Sequence, residues 1–161
     1  MQVEMRIQGL MIDPITNMPI VVLRDPRNDD KLPIWVGVFE ANAIALELEK
    51  IRTPRPMTHD LLRDVLVQLG ARLMRVGIVD LRDNTFYAVL HVTAQTGETD
   101  IDARPSDAIA LALRCGAPIF VEEAVISAAQ NIDLTQGHED ADRFRQWLEG
   151  LDEEDLGKYE V

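Results

Sequence analysis

The chain has a single cysteine, which rules out an internal disulfide and any zinc site built on several cysteines. That thiol, Cys115, lies in an apolar helical stretch and reads as an inert packing group rather than a nucleophile. No G-x-G-x-x-G, P-loop, G-x-S-x-G or H-E-x-x-H pattern occurs, so dinucleotide enzymes, P-loop NTPases, serine hydrolases and zincins lose their usual support. Long apolar runs are missing too. The N-terminus, MQVEMRIQGLMID, alternates charged and apolar residues where a signal peptide or membrane span would be unbroken, so a cytoplasmic protein without membrane contact is expected. Positive charge is scarce: 16 Lys and Arg face 28 Asp and Glu, a net charge of −12, and nonspecific nucleic-acid affinity depends on cations that neutralise phosphates.

That shortage is uneven. Residues 50–82 carry Lys50, Arg52, Arg55, Arg63, Arg72, Arg75 and Arg82 against Asp60, Asp64 and Asp80, so a local basic surface can survive on an acidic protein. A solvated, salt-bridged face explains the same charges, since aromatics are not interleaved with them.

With 161 residues and 47% apolar content, the chain has enough material for one buried core. Alternation at Val3, Met5 and Ile7, a turn at Asp13-Pro14 and the run PIVVLRD predict a hairpin, with Lys31–Gly37 returning as a third strand. Pro33 places that strand at an edge. A helix follows in VFEANAIALELEKI, then a Thr53-Pro54-Arg55-Pro56 linker, then a helix from Thr58 with Leu61, Leu62, Val65, Leu66 and Leu69 on one stripe. Arg72–Arg82, Thr85–Ala94 and Glu98–Ala103 read as a second meander, with Met74, Val76 and Ile78 in an inward row. Ser106–Cys115 is apolar nearly all round, which requires burial in the core or at a subunit contact. PIFV and a helix over 122–130 complete the series. The expected fold is α+β, two antiparallel three-stranded meanders packed with helices, and the recurring Arg-Pro helix start leaves room for an internal duplication. Residues 1–136 read as the domain and 137–161, acidic with an apolar stripe of Phe144, Trp147, Leu148 and Leu151, as a helical appendage.

The two Arg-Pro segments, Arg55-Pro56-Met57-Thr58-His59-Asp60 and Arg104-Pro105-Ser106-Asp107, carry most of the chemistry. In each, a Ser or Thr can cap the helix, an acid in the first turn suits the dipole, and Gly70 or Gly116 supplies the stop. His59 and Asp60 should diverge, His59 toward Leu62 and Leu66 and Asp60 along the polar side. His59 reads either as a half-buried or capping residue or as a general base. His91 lies on a strand face and His138 in the acidic tail. Asp100, Asp102 and Arg104 share a strand face by the period of two, and Ser106 and Asp107 follow at once. Those oxygens could hold Mg²⁺ or Mn²⁺ if the chain turns sharply at Pro105; a salt bridge from Arg104 explains the same residues. Glu40 opens the first helix, where the dipole stabilises an acid whether or not it does chemistry.

LPIWVG-FEANAIA (32–45), RPMTHDLL (55–62), FYAVL (86–90) and DARPSDAIALALR (102–114) closely resemble the bifunctional nuclease domain family over roughly residues 3–130. The tail phrase RFRQWLEGLDEEDLGKY is similar to the ending of bacterial members. The resemblance implies an α+β fold, self-association as a homodimer or higher oligomer, and nuclease activity on DNA and RNA. Its polar motif positions are Glu40, Arg55, Thr58, His59, Asp60, Asp102, Arg104, Ser106 and Asp107, without roles attached.

The expected function is therefore hydrolysis of phosphodiester bonds with a divalent cation. Glu40, His59, Asp60, Arg104, Ser106 and Asp107 are the catalytic candidates, Glu40, Asp60 and Asp107 the candidate ligands for Mg²⁺ or Mn²⁺, and Arg52, Arg55 and Arg63 the candidate nucleic-acid contacts. The rival expectation is a noncatalytic homo-oligomeric binding or regulatory module whose Arg-Pro segments only hold the fold.

Overall fold

The computed structural model describes residues 1–132 and Gly150. His138 and the expected helical appendage, Gly150 apart, lie outside the described residues. The element order is β1 (Gln2–Ile12), β2 (Pro19–Arg24), β3 (Lys31–Trp35), α1 (Val38–Leu48), α2 (Thr58–Gln68), β4 (Arg72–Arg82), β5 (Thr85–Ala94), β6 (Gly97–Ala103), α3 (Pro105–Cys115), β7 (Ile119–Glu122) and α4 (Glu123–Ile132). The strands lie in the order β3-β2-β1-β7-β4-β5-β6. The chain is α+β, with a mixed sheet in which only β4 and β7 pair in parallel among the described strands.

Both turns of the first meander are closed by local turn chemistry. Asp13 accepts hydrogen bonds from the Ile15 amide and the Thr16 hydroxyl, both at 2.8 Å, and Asn17 takes the left-handed conformation that asparagine tolerates. Asp25 repeats the device with the Arg27 amide at 2.9 Å and Asp29 left-handed. Pro33 indeed lies on an edge strand, where its missing N–H costs no ladder bond. β1 is shared along its length: Gln2–Met5 pair with β7, and Arg6–Ile12 with β2. The short strand β7 thus joins the two meanders.

α3 packs against α1, α2, β4 and β5, and Ile109 and Leu111 are fully buried, as its apolar circumference requires. Truncating such a leucine to alanine costs about 2–5 kcal/mol. Gly116 ends the helix in the left-handed conformation, φ 65°, the αL stop expected from sequence.

Three local expectations change. Neither Thr58 nor Ser106 caps its helix: the N-cap positions are Met57 and Arg104, with Thr58 and Ser106 already inside the first turn. Asp60 instead reaches back to accept the Met57 amide at 3.0 Å. Met74 points outward, because the β4–β5 register shifts between Leu73 and Arg75; this bulge lets Leu73 join Val76 and Ile78 on the buried face. The α2 stripe is also not a core stripe. Leu66 packs partly against the core, but His59 is the one buried residue of the helix, and Leu61, Leu62, Val65 and Leu69 are exposed.

Candidate active site and the adjoining arginine pocket

Three helix starts meet on one chain of charged groups. Glu40 is in the first turn of α1, His59 and Asp60 in that of α2, and Asp107 in that of α3. Arg104, at the N-cap of α3, donates from Nη2 to Glu40 Oε1 at 2.7 Å and from Nε to Asp107 Oδ2 at 2.8 Å. The other Asp107 oxygen, Oδ1, stands 2.8 Å from His59 Nε2. The run Glu40–Arg104–Asp107–His59 thus spans all three helices, at ends whose dipoles favour negative charge.

Electrostatics follow the geometry. Burial pushes the Asp107 carboxyl up, but hydrogen bonds from His59 and Arg104 and their charges outweigh it and hold the group below the usual carboxylate range. An ionised Asp107 only accepts, so the proton lies on His59 Nε2, and Nδ1 is the basic nitrogen of the neutral ring. Bonds to Asp107 and Glu40 push Arg104 further toward its charged form. Its side chain is nevertheless 66% exposed, and Nη1 has no partner among the described residues. Gly37 makes room for this arrangement, since a Cβ there would collide with Glu40 Oε2.

The second arginine of α3 behaves differently. Arg114, with a side chain 2% exposed, donates to Asp60 Oδ1 at 2.7 Å and to the carbonyls of Ala110 and Ala43, each at 2.9 Å. It ties α1, α2 and α3 together. Burial raises the Asp60 carboxyl, and the Met57 amide, the Arg114 guanidinium and the charge of Arg63 more than reverse the effect. Sequence reading passed over Arg114, although a charge in an otherwise apolar helix demands a buried partner.

His59 and Asp60 thus diverge as helical geometry requires, one toward Asp107 and the other toward Arg114. The three expected metal ligands are not together. Glu40 and Asp107 both bond Arg104, Asp60 bonds Arg114, and among the described residues no group of three or more His, Cys, Asp or Glu side chains stands ready to hold a metal ion. The acids after β5 are divided as well: Asp100 pairs with His91 Nδ1 at 2.7 Å, away from Asp107. Ser106 is buried in the first turn of α3. Burial pushes the Cys115 thiol up, against the charges of Arg63 and Arg114, in keeping with an inert packing role.

On the other side of the first turn of α2 lies a pocket of about 380 Å³ lined by Arg52, Arg55, Arg63 and Arg114, with Asp60, Glu47 and apolar side chains. All three arginines expected to contact nucleic acid therefore share one concavity.

The chain has relatives among known proteins. The bifunctional nuclease domain family matches residues 21–133, and the chain belongs to that family. An uncharacterized protein of Mycobacterium tuberculosis is 40% identical over 162 residues, covering 95% of this chain and 97% of that protein. Bifunctional nuclease 1 of Oryza sativa subsp. indica is 28% identical over 116 residues, 70% of this chain but 35% of the rice protein. Bifunctional nuclease 2 of Arabidopsis thaliana is 26% identical over 95 residues, 57% of this chain and 29% of its own length. The chain thus spans about a third of these plant relatives. Among the described residues no helix is long and apolar enough to cross a membrane.

Proposed function

We propose that the protein is a nuclease that hydrolyses phosphodiester bonds of RNA and DNA at the Glu40–Arg104–Asp107–His59 cluster. Family membership and the names of the plant relatives support the activity. The observation that carries the site is the unbroken hydrogen-bonded chain across three helix starts, with an exposed arginine at its centre.

In this reading Asp107, held ionised, orients His59, and Nδ1 of the imidazole accepts the proton of the attacking water. Arg104 is fixed by Glu40 and Asp107, so its free Nη1 donors meet the phosphate without reorganising, and the three helix ends favour the charge that develops on the phosphorus oxygens. Arg52, Arg55 and Arg63 contact the flanking strand through its phosphates, which offsets the net charge of −12. Glu40 and Asp107 are committed to Arg104, so this scheme rests on the side chains themselves.

The test is cleavage of single-stranded RNA and DNA by purified protein, with a chelator and with added Mg²⁺ or Mn²⁺. Arg104→Gln and Asp107→Asn should each lower the rate by roughly 10²–10³-fold, the usual effect of losing a donor that meets developing charge or the partner of a general base. Unchanged rates in both variants would place the reaction elsewhere or assign it to a contaminant. A folded protein with no cleavage under any condition would favour the noncatalytic binding module.

A further inference from the structure

The pocket beside α2, whose arginines the cleavage reading places on the flanking strand, has chemistry that selects one part of that strand. Of its guanidiniums, Arg114 is neutralised by Asp60, and Arg63 by its neighbour Asp64 at 3.2 Å. The guanidiniums of Arg52 and Arg55 form no hydrogen bond or ion pair with another described residue, although both residues line the cavity of an acidic protein. The segment carrying them is firmly held: the Ile51 amide donates to Leu46 O at 2.9 Å, the Thr53 hydroxyl donates to Arg55 O at 2.7 Å, and Pro54 and Pro56 restrict the backbone on either side. Two arginines with planar donor forks therefore stand on the wall of the cavity, on a backbone already restricted before anything binds.

We propose that this pocket binds the phosphate monoester of a single nucleotide, with Arg52 and Arg55 on the phosphate and Ile51, Pro54 and Pro56 against the sugar and base. The proposal deepens the nuclease reading by naming the chain end, or the nucleotide released from it, as what the domain holds beside the cleavage site. Donors and charge support a monoester. With Glu47 also on the pocket wall, selection rests on the donors. A monoester presents three terminal oxygens and about −1.5 to −2 charge at neutral pH to the two unpaired guanidiniums, where an internal diester presents two oxygens and one charge. Size supports a single unit: about 380 Å³ lies near the lower end of the roughly 300–1,000 Å³ of small-molecule sites, space for a nucleotide rather than a run of strand.

Calorimetric titration of the full chain with adenosine monophosphate and with adenosine tests the phosphate requirement. The nucleotide should bind at least about tenfold more tightly, a difference of about 1.4 kcal/mol, and the Arg52→Gln/Arg55→Gln double variant should lose that difference while keeping its thermal midpoint. Oligonucleotides ending in a 5′-phosphate, a 3′-phosphate or hydroxyls only, titrated into Asp107→Asn to prevent cleavage, identify the source of the monoester. Competition by a phosphorylated end assigns the pocket to strand ends, and binding of the free nucleotide alone assigns it to a released or soluble nucleotide; both support the proposal. Equal affinity for adenosine and its monophosphate, unchanged binding in the double variant, or equal competition by strands lacking a terminal phosphate would overturn it. Nucleotide binding without any nuclease activity would remove the cleavage reading and leave the pocket standing.

Discussion

Arg104 and Arg114 stand at opposite ends of one helix, each bonded to a carboxylate in the first turn of a helix, yet they hold different positions in the molecule. Arg104 is largely in water with donors to spare. Arg114 is enclosed, and its bonds are spent on Asp60 and two backbone carbonyls. A buried guanidinium tolerates its surroundings only while fully paired, so its pairing maintains structure. An exposed one held in place by two acids has lost conformational freedom but kept binding capacity, the condition for meeting a phosphate. The same two residue types therefore serve architecture at one end of α3 and, in the proposed reaction, chemistry at the other.

The sharpest way to break the contrast is Asp60→Asn. It leaves the Arg114 charge uncompensated in the interior and should lower unfolding stability by about 3–5 kcal/mol in urea titrations. A loss below about 1 kcal/mol would show that Arg114 is not the clamp described. Arg104→Gln should do the reverse: stability changes by about 1 kcal/mol or less, because an exposed pair contributes little, while cleavage falls by roughly 10²–10³-fold.

Acid titration sharpens the comparison on the carboxylate side. Asp60 and Asp107 both sit below the ordinary value of 3.8, so the unfolded chain binds protons before the folded one does. Their stabilisation is present above that value and disappears as pH falls through the lower folded values. Urea midpoints followed into that acid range should decline, and Asp60→Asn should flatten the decline; an unaltered slope would mean that Asp60 is not one of the groups responsible. A smaller effect is expected of Gly37→Ala. Its Cβ displaces the Glu40 carboxylate, loosening one of the two restraints on Arg104, and cleavage should fall roughly tenfold, about the loss of one charge-assisted hydrogen bond. Wild-type rates in that variant would show that Glu40 does not position Arg104.

Much of the fold was legible because its signals are local. Asp13-Pro14 and Asp25-Pro26 announce turns, Pro33 announces an edge, and the nearly all-round apolar surface of α3 announces the centre of the core. The bulge at Met74 was not legible, since a single residue of slippage changes the facing side chains without changing composition. Nor was the position of β7, whose neighbours β1 and β4 are remote in sequence. The apolar spacing of α2 pointed to a core face, but the tertiary placement turns much of it to solvent.

The site divides along the same line. Sequence by itself placed an acid or imidazole in the first turn of α1, α2 and α3, and helical geometry alone required His59 and Asp60 to part. Capping, turn and dipole effects act within a few residues, so short strings determine them. Which charges meet depends on how helices pack, and no string specifies that. Tertiary structure made Arg104 the group shared by Glu40 and Asp107, sent Asp60 to Arg114, and gathered Arg52, Arg55 and Arg63 around one pocket.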